Sequence, residues 1–235
     1  MNIVWSKNQL LISMNKNQIN DAIRKYILPS LPGYRAFENV IYTYIDSDFF
    51  VKGYHFYSKG DKEIGLKIEC LFQPLYVKDD AISFTFSKTL RHKRRDGLFK
   101  TVELRYWDIR KEKQEETFKQ ILSMMLDFGE KYLSQFNTAE DFYKKFKSER
   151  KENIRVYEAV AYTTVLFADE SLQDEMLKGL IESSLKKINR DTDWIDQIRE
   201  DATRLLNAAT TEARLAILQE WRKETLENLG IPKPR

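Results

Sequence analysis

Between residues 63 and 87 the chain reads EIGLKIECLFQPLYVKDDAISFTFS, and apolar and polar positions alternate with period two. Ile64, Leu66, Ile68, Cys70 and Phe72 share one side; beyond Pro74 and a Lys78-Asp79-Asp80 turn, Ile82, Phe84 and Phe86 repeat the pattern. Such alternation predicts two half-buried antiparallel strands, one face of which needs an apolar cover. Upstream, residues 39–46 and 49–58 are rich in β-branched and aromatic side chains on either side of Asp46-Ser47-Asp48, which predicts a hairpin. A fifth strand is expected over 99–107, where Val102, Leu104 and Tyr106 share a face, while residues 1–14 suit an edge strand or an arm.

Elsewhere the period is helical. Ile19, Ala22, Ile23, Tyr26 and Ile27 form one stripe that Pro29 and Pro32 end. Phe118, Ile121, Leu122, Met125, Phe128, Gly129, Tyr132, Leu133 and Phe136 predict a single long helix, the natural second cover of the sheet. Thr138-Ala139-Glu140-Asp141 has the form of a capping box opening a short helix with Phe142, Tyr143 and Phe146 inward. Further stripes begin at Ile154, at Leu177 behind a Ser171–Asp174 cap, at Trp194, and near Thr211, the last ending at Gly230 with Pro232 beyond it. The expectation is an α+β fold: an N-terminal helix, a meander of about five antiparallel strands covered by helices, and a C-terminal helical bundle. The charged stretch 147–153 marks the expected boundary, giving a sheet domain over 1–148 and a helical subdomain over 149–235.

Charge changes this picture only locally. The net charge is +3, but residues 1–110 hold 18 Lys and Arg against 12 Asp and Glu, so the strand-rich half is the basic one. That permits a polyanionic partner without demanding one. Cys70 is the only cysteine, on the apolar side of its strand, which excludes an internal disulfide and a cysteine-rich zinc site and reads as a packed thiol. No apolar run has the length of a membrane span, so no membrane partner is expected and a cytoplasmic location is the default.

Candidates for chemistry are few. His55 and His92 are isolated, no glycine-rich phosphate loop is present, and the Asp pairs 46/48, 79/80 and 191/193 fall at predicted turns or helix starts, where Asp serves the backbone. No catalytic, metal or cofactor-binding residue is therefore assigned, and no cofactor is expected. The one conspicuous signal is Arg91-His92-Lys93-Arg94-Arg95, expected in a loop between the fourth and fifth strands. Those cations could steer an acidic protein surface, or track a phosphate backbone while Tyr54, Phe56 and Tyr57 stack on bases; a solvated loop that guards a sheet edge is the blander alternative.

The stretch FGEKYLSQFNTAEDFYKKF (128–146), followed by VYEAVAYTTVLFADES and preceded by a helix ending at Pro29 and Gly33-Tyr34, resembles the bacterial DUF4304-like proteins, a family of unknown function. The resemblance implies no catalytic residues; members are similar to small cytoplasmic partner-binding proteins, including immunity proteins that neutralise toxins. The functional expectation is non-catalytic recognition of another macromolecule by residues 91–95, a protein partner first and nucleic acid as the alternative.

Overall fold

The alternating stretches upstream of Pro74 form strands, but residues 68–74 are buried on both sides where alternation predicts one. A computed structural model describes residues 15–58, 65–96, 100–109, 113–186 and 193–232. Strands β1 (Arg35–Phe37), β2 (Val40–Ile45), β3 (Phe50–Ser58), β4 (Gly65–Pro74) and β5 (Lys88–Thr89) are hydrogen-bonded in that order in an antiparallel sheet. Strands β6 (His92–Asp96) and β7 (Lys100–Leu104) form a two-stranded sheet of their own, and β8 (Trp107–Asp108) returns to pair with β4. The expected α+β architecture is present. The arm or edge strand considered for 1–14, and Ile64, Gly97, Phe99, Ile188 and Asp191, lie outside the described residues.

By internal contacts the chain divides into two compact units, interleaved along the sequence. The first comprises Met1–Thr43, Gly53–Leu71 and Lys88–Tyr132; the second comprises Tyr44–Lys52, Phe72–Ser87 and Leu133–Arg235, so the charged stretch 147–153 lies inside the second.

In the first unit, α1 (Lys16–Ala22) starts at a reciprocal cap between Asn15 and Gln18 and runs on through a π turn at Ile23–Ile27. Ile19, Ala22, Ile23 and Ile27 are buried, as their stripe predicts. Helix α2 (Gln114–Met124) packs on that turn, with the Tyr26 and Phe118 rings 6.2 Å apart. It passes through a second π turn, Met125–Gly129, into α3 (Glu130–Leu133). A π turn inserts one extra residue and rotates all that follows. Here it keeps Met125 and Gly129 buried but turns Phe128 out to 58 % exposure, correcting the single uninterrupted stripe. Gly53 of β3 meets the backbone of Ile41, closer than any Cβ allows.

The second unit is built on aromatic rings. Phe72 stacks on Phe142 at 5.2 Å and lies 4.7 Å from Phe136, while Phe86 meets Phe142 and Phe146 edge-on at 4.9 Å. Helix α4 (Ala139–Phe146) supplies two of these rings and opens with the expected box, in which Thr138 Oγ1 accepts from the Asp141 N–H and the Asp141 carboxylate from the Thr138 N–H, both at 3.1 Å. Then come α5 (Ile154–Thr163), α6 (Glu170–Leu185), α7 (Asp193–Leu206) and α8 (Thr211–Leu229), the last closed by left-handed Gly230. Helix α6 is capped by Asp169, whose side chain accepts from the Leu172 N–H at 2.9 Å, rather than from Ser171. Helix α5 packs on α4, α6 and α7 and is buried on nearly every side. No described helix is long and apolar enough to cross a membrane.

One strand expected from alternation does not form. Residues 81–87 are irregular, with a bend at Ala81 and a turn at Thr85-Phe86, Phe86 being buried and Phe84 exposed. Their hydroxyls take over local backbone bonding: Ser83 Oγ accepts from the Thr85 N–H at 3.3 Å and Ser87 Oγ donates to Phe84 O at 2.9 Å. Serine and threonine compete with sheet pairing in this way. Cys70 and Glu69 of β4 pair instead with Lys88 and Thr89.

Candidate macromolecular interface

The basic run lies in a strand rather than in a loop. His92 to Asp96 pair antiparallel with Leu104 to Lys100, placing Lys93 opposite Glu103, Arg94 opposite Val102 and Arg95 opposite Thr101. Strand formation was hidden because nearly every residue of the run is polar, so no apolar alternation marks it. Arg91, just before the strand, is exposed and lies 3.6 Å from the exposed Glu103 carboxylate; Lys93 is exposed as well. His92 is held: its ring stacks on buried Trp107 at 4.7 Å, and its Nε2 sits 3.0 Å from the Tyr106 carbonyl oxygen. The ribbon is thus anchored through His92, while Arg91 and Lys93 face solvent. Of the aromatics considered for stacking on bases, Tyr54 and Phe56 are core residues, and Tyr57 is 47 % exposed.

The other sequence candidates serve the fold. Asp46, Ser47 and Asp48 all adopt left-handed φ in the turn between β2 and β3. There the Asp46 carboxylate accepts from the Ala139 N–H and the Asp48 carbonyl from Arg222 Nε. Left-handed backbone is unusual for residues other than glycine, and Asp tolerates it better than most. Burial lowers the His55 imidazole and pushes the Cys70 thiol up to about 12, so the thiol is packed rather than reactive. Among the described residues no three His, Cys, Asp or Glu converge closely enough to hold a metal ion.

Two polar centres escaped the sequence reading. In the first unit, Glu130 Oε1 accepts from the Tyr34 hydroxyl at 2.9 Å and from the Tyr54 hydroxyl at 2.6 Å. Burial, then the glutamate beside them, pushes both phenols far above their ordinary range. In the second unit, Glu158 of α5 is 3 % exposed and receives the Arg155 guanidinium at 3.0 Å. Burial pushes its carboxyl up to about 7; Arg155 opposes the rise and the negative charges of Asp201 and Asp79 add to it. Asp201 is itself paired with Lys78 at 2.7 Å. A single charge inside the apolar run VYEAVAY is the signal that could have disclosed Glu158; the tyrosine pair leaves none.

No family model, no curated protein and no solved structure matches the chain.

Proposed function

We propose that this chain is a non-catalytic recognition protein that grips a partner protein with the β6–β7 ribbon, as an immunity-type or regulatory binder in a bacterial cytoplasm, and that it belongs with the DUF4304-like proteins that residues 128–146 resemble. The observation carrying this reading is the basic run folded as an anchored two-stranded ribbon with Arg91 and Lys93 exposed. Interleaving favours a protein over a phosphate backbone: Lys93 faces Glu103 across the ribbon, and a surface of both signs complements a protein face better than a uniformly negative strand. Nucleic acid is the second reading, because a two-stranded β-ribbon has the width that the major groove of duplex DNA admits.

Fluorescence anisotropy with a labelled Asp/Glu-rich peptide, a DNA duplex and a single-stranded RNA, at about 50 and 200 mM salt, separates the readings. The expected result is peptide binding that weakens with salt and is lost in Arg91→Glu/Lys93→Glu, without comparable DNA or RNA binding. Steeply salt-dependent DNA or RNA binding lost in the same variant moves the assignment to nucleic acid. Binding to none of the three removes the ribbon as a gripping element.

A further inference from the structure

A small cleft of about 60 Å³ opens within the second unit, where residues 73–86 meet the start of α5. Its apolar walls are Pro74, Val77 and Phe86; its polar lining is Gln73, Asp79, Ser83, Thr85 and Arg155. A water centre needs about 10 to 15 Å³ of such space, so the cleft takes about five water-sized groups, far short of a nucleotide or a sugar chain.

Its donors are oriented and under-used. Arg155 is fixed from two sides: Glu158 holds one terminal nitrogen at 3.0 Å, and the guanidinium carbon lies 4.9 Å from the centre of the Trp194 ring. A guanidinium has five N–H groups in a rigid fork, and among the described residues Glu158 is the one acceptor it meets. Gln73 is 2 % exposed and its orientation is set, because Oε1 accepts from the Ser83 N–H at 2.8 Å. Among the described residues its Nε2 donates to Pro74 O and Asp79 Oδ2, both long contacts of 3.4 Å. A buried amide with both donors poorly met is costly unless something else accepts from them.

The charges in the lining select the ligand. Arg155 disfavours a metal ion or a simple ammonium, and Asp79 disfavours a simple anion, whereas a molecule carrying both charges side by side satisfies each. We propose that this cleft binds a small zwitterion, an α-amino acid with a short side chain, its carboxylate taking unused N–H groups of Arg155 and the weakly bonded amide of Gln73 and its ammonium meeting Asp79. Ser83 and Thr85, whose hydroxyls are 3.0 Å apart, line the same cleft and offer further oxygens to the ammonium. The role of Glu158 is to hold the guanidinium in place, a use the ribbon reading does not touch.

Isothermal titration of the full chain at neutral pH with glycine, L-alanine, acetate and methylammonium tests this. Glycine and alanine should bind saturably, with acetate and methylammonium about tenfold weaker or more, the loss of one charge-assisted bond. Asp79→Asn, at a partly exposed loop position, should erase the preference for alanine over acetate. Arg155→Lys keeps a cation beside Glu158 but loses the fork, and should weaken alanine about tenfold while the circular dichroism spectrum is unchanged. Equal binding of alanine and acetate would make this a plain anion site and overturn the proposal. So would absence of saturable binding by either amino acid, or an Asp79→Asn variant that keeps the preference.

Discussion

Half-buried Glu130 in the first unit and buried Glu158 in the second are held by different donors. Glu130 is gripped by two neutral hydroxyls that converge on a single oxygen, whereas Glu158 has one guanidinium, itself 37 % exposed at its side chain. Around Glu130 the effect of burial appears in the phenols, which stay protonated far above their ordinary range. Around Glu158 solvent shares the guanidinium, burial outweighs the ion pair, and the carboxyl itself rises to about 7. At Glu158, then, burial outweighs the formal charge of the partner.

The sharpest test of that contrast is the pH dependence of stability. A carboxyl whose folded value lies above its unfolded value of 4.5 stabilises the fold fully at acid pH, and that contribution is lost as pH rises from about 4.5 through 7. Glu158→Gln keeps an oxygen for Arg155 and removes the titration. Between pH 5 and 8 the wild type should lose about 2 to 3 kcal/mol more than the variant, in the direction that leaves the variant the more stable at pH 8. Urea unfolding at several pH values measures this. Parallel profiles for the two proteins would mean that Glu158 stays ionised throughout.

How much of this could be read beforehand depended on whether the pattern and the chemistry agreed. The hairpin of β2 and β3 was legible because apolar strands flank an Asp-rich turn, and α4 because Thr138 and Asp141 announce its start. Residues 81–87 alternate just as well, but Ser83, Thr85 and Ser87 satisfy the backbone locally and no strand forms. The π turn at Met125–Gly129 adds a residue that no periodicity announces, so Phe128 was placed inward and lies outward. Among site residues, the basic run stood out as charge and was hidden as structure. Gln73, Asp79 and Arg155 were invisible as a group because the fold, rather than their spacing, brings them to one cleft.

The tyrosine side of the comparison breaks first at Gly129. An added Cβ there would lie 2.5 Å from Tyr54 Oη and 2.6 Å from its Cε1. Alanine normally favours a helix over glycine by about 1 kcal/mol, yet overpacking of this kind costs about 1 to 3 kcal/mol. Since the contact is with the ring as well as the hydroxyl, the ring must shift and draw its hydroxyl from Glu130. Gly129→Ala should destabilise by about 2 kcal/mol, less so in a Tyr54→Phe background where the nearest atom is gone. A neutral or stabilising Gly129→Ala would show that Tyr54 moves freely and that Glu130 does not depend on it.

The smallest effect separates the two hydroxyls from each other. Tyr34→Phe removes one donor at 2.9 Å from Glu130 Oε1 and leaves the ring against Tyr54, with centroids 6.2 Å apart. Because the remaining 2.6 Å bond from Tyr54 can still satisfy that oxygen, the loss should be about 1 kcal/mol by urea unfolding. With Tyr54→Phe added, the carboxylate loses both hydroxyl donors, and the pair of substitutions should cost more than their sum by about 0.5 kcal/mol or more. That excess is what two donors on one oxygen imply. Simple additivity would mean that each tyrosine acts alone, and Glu130 would then be held no differently in kind from a carboxylate with a single partner.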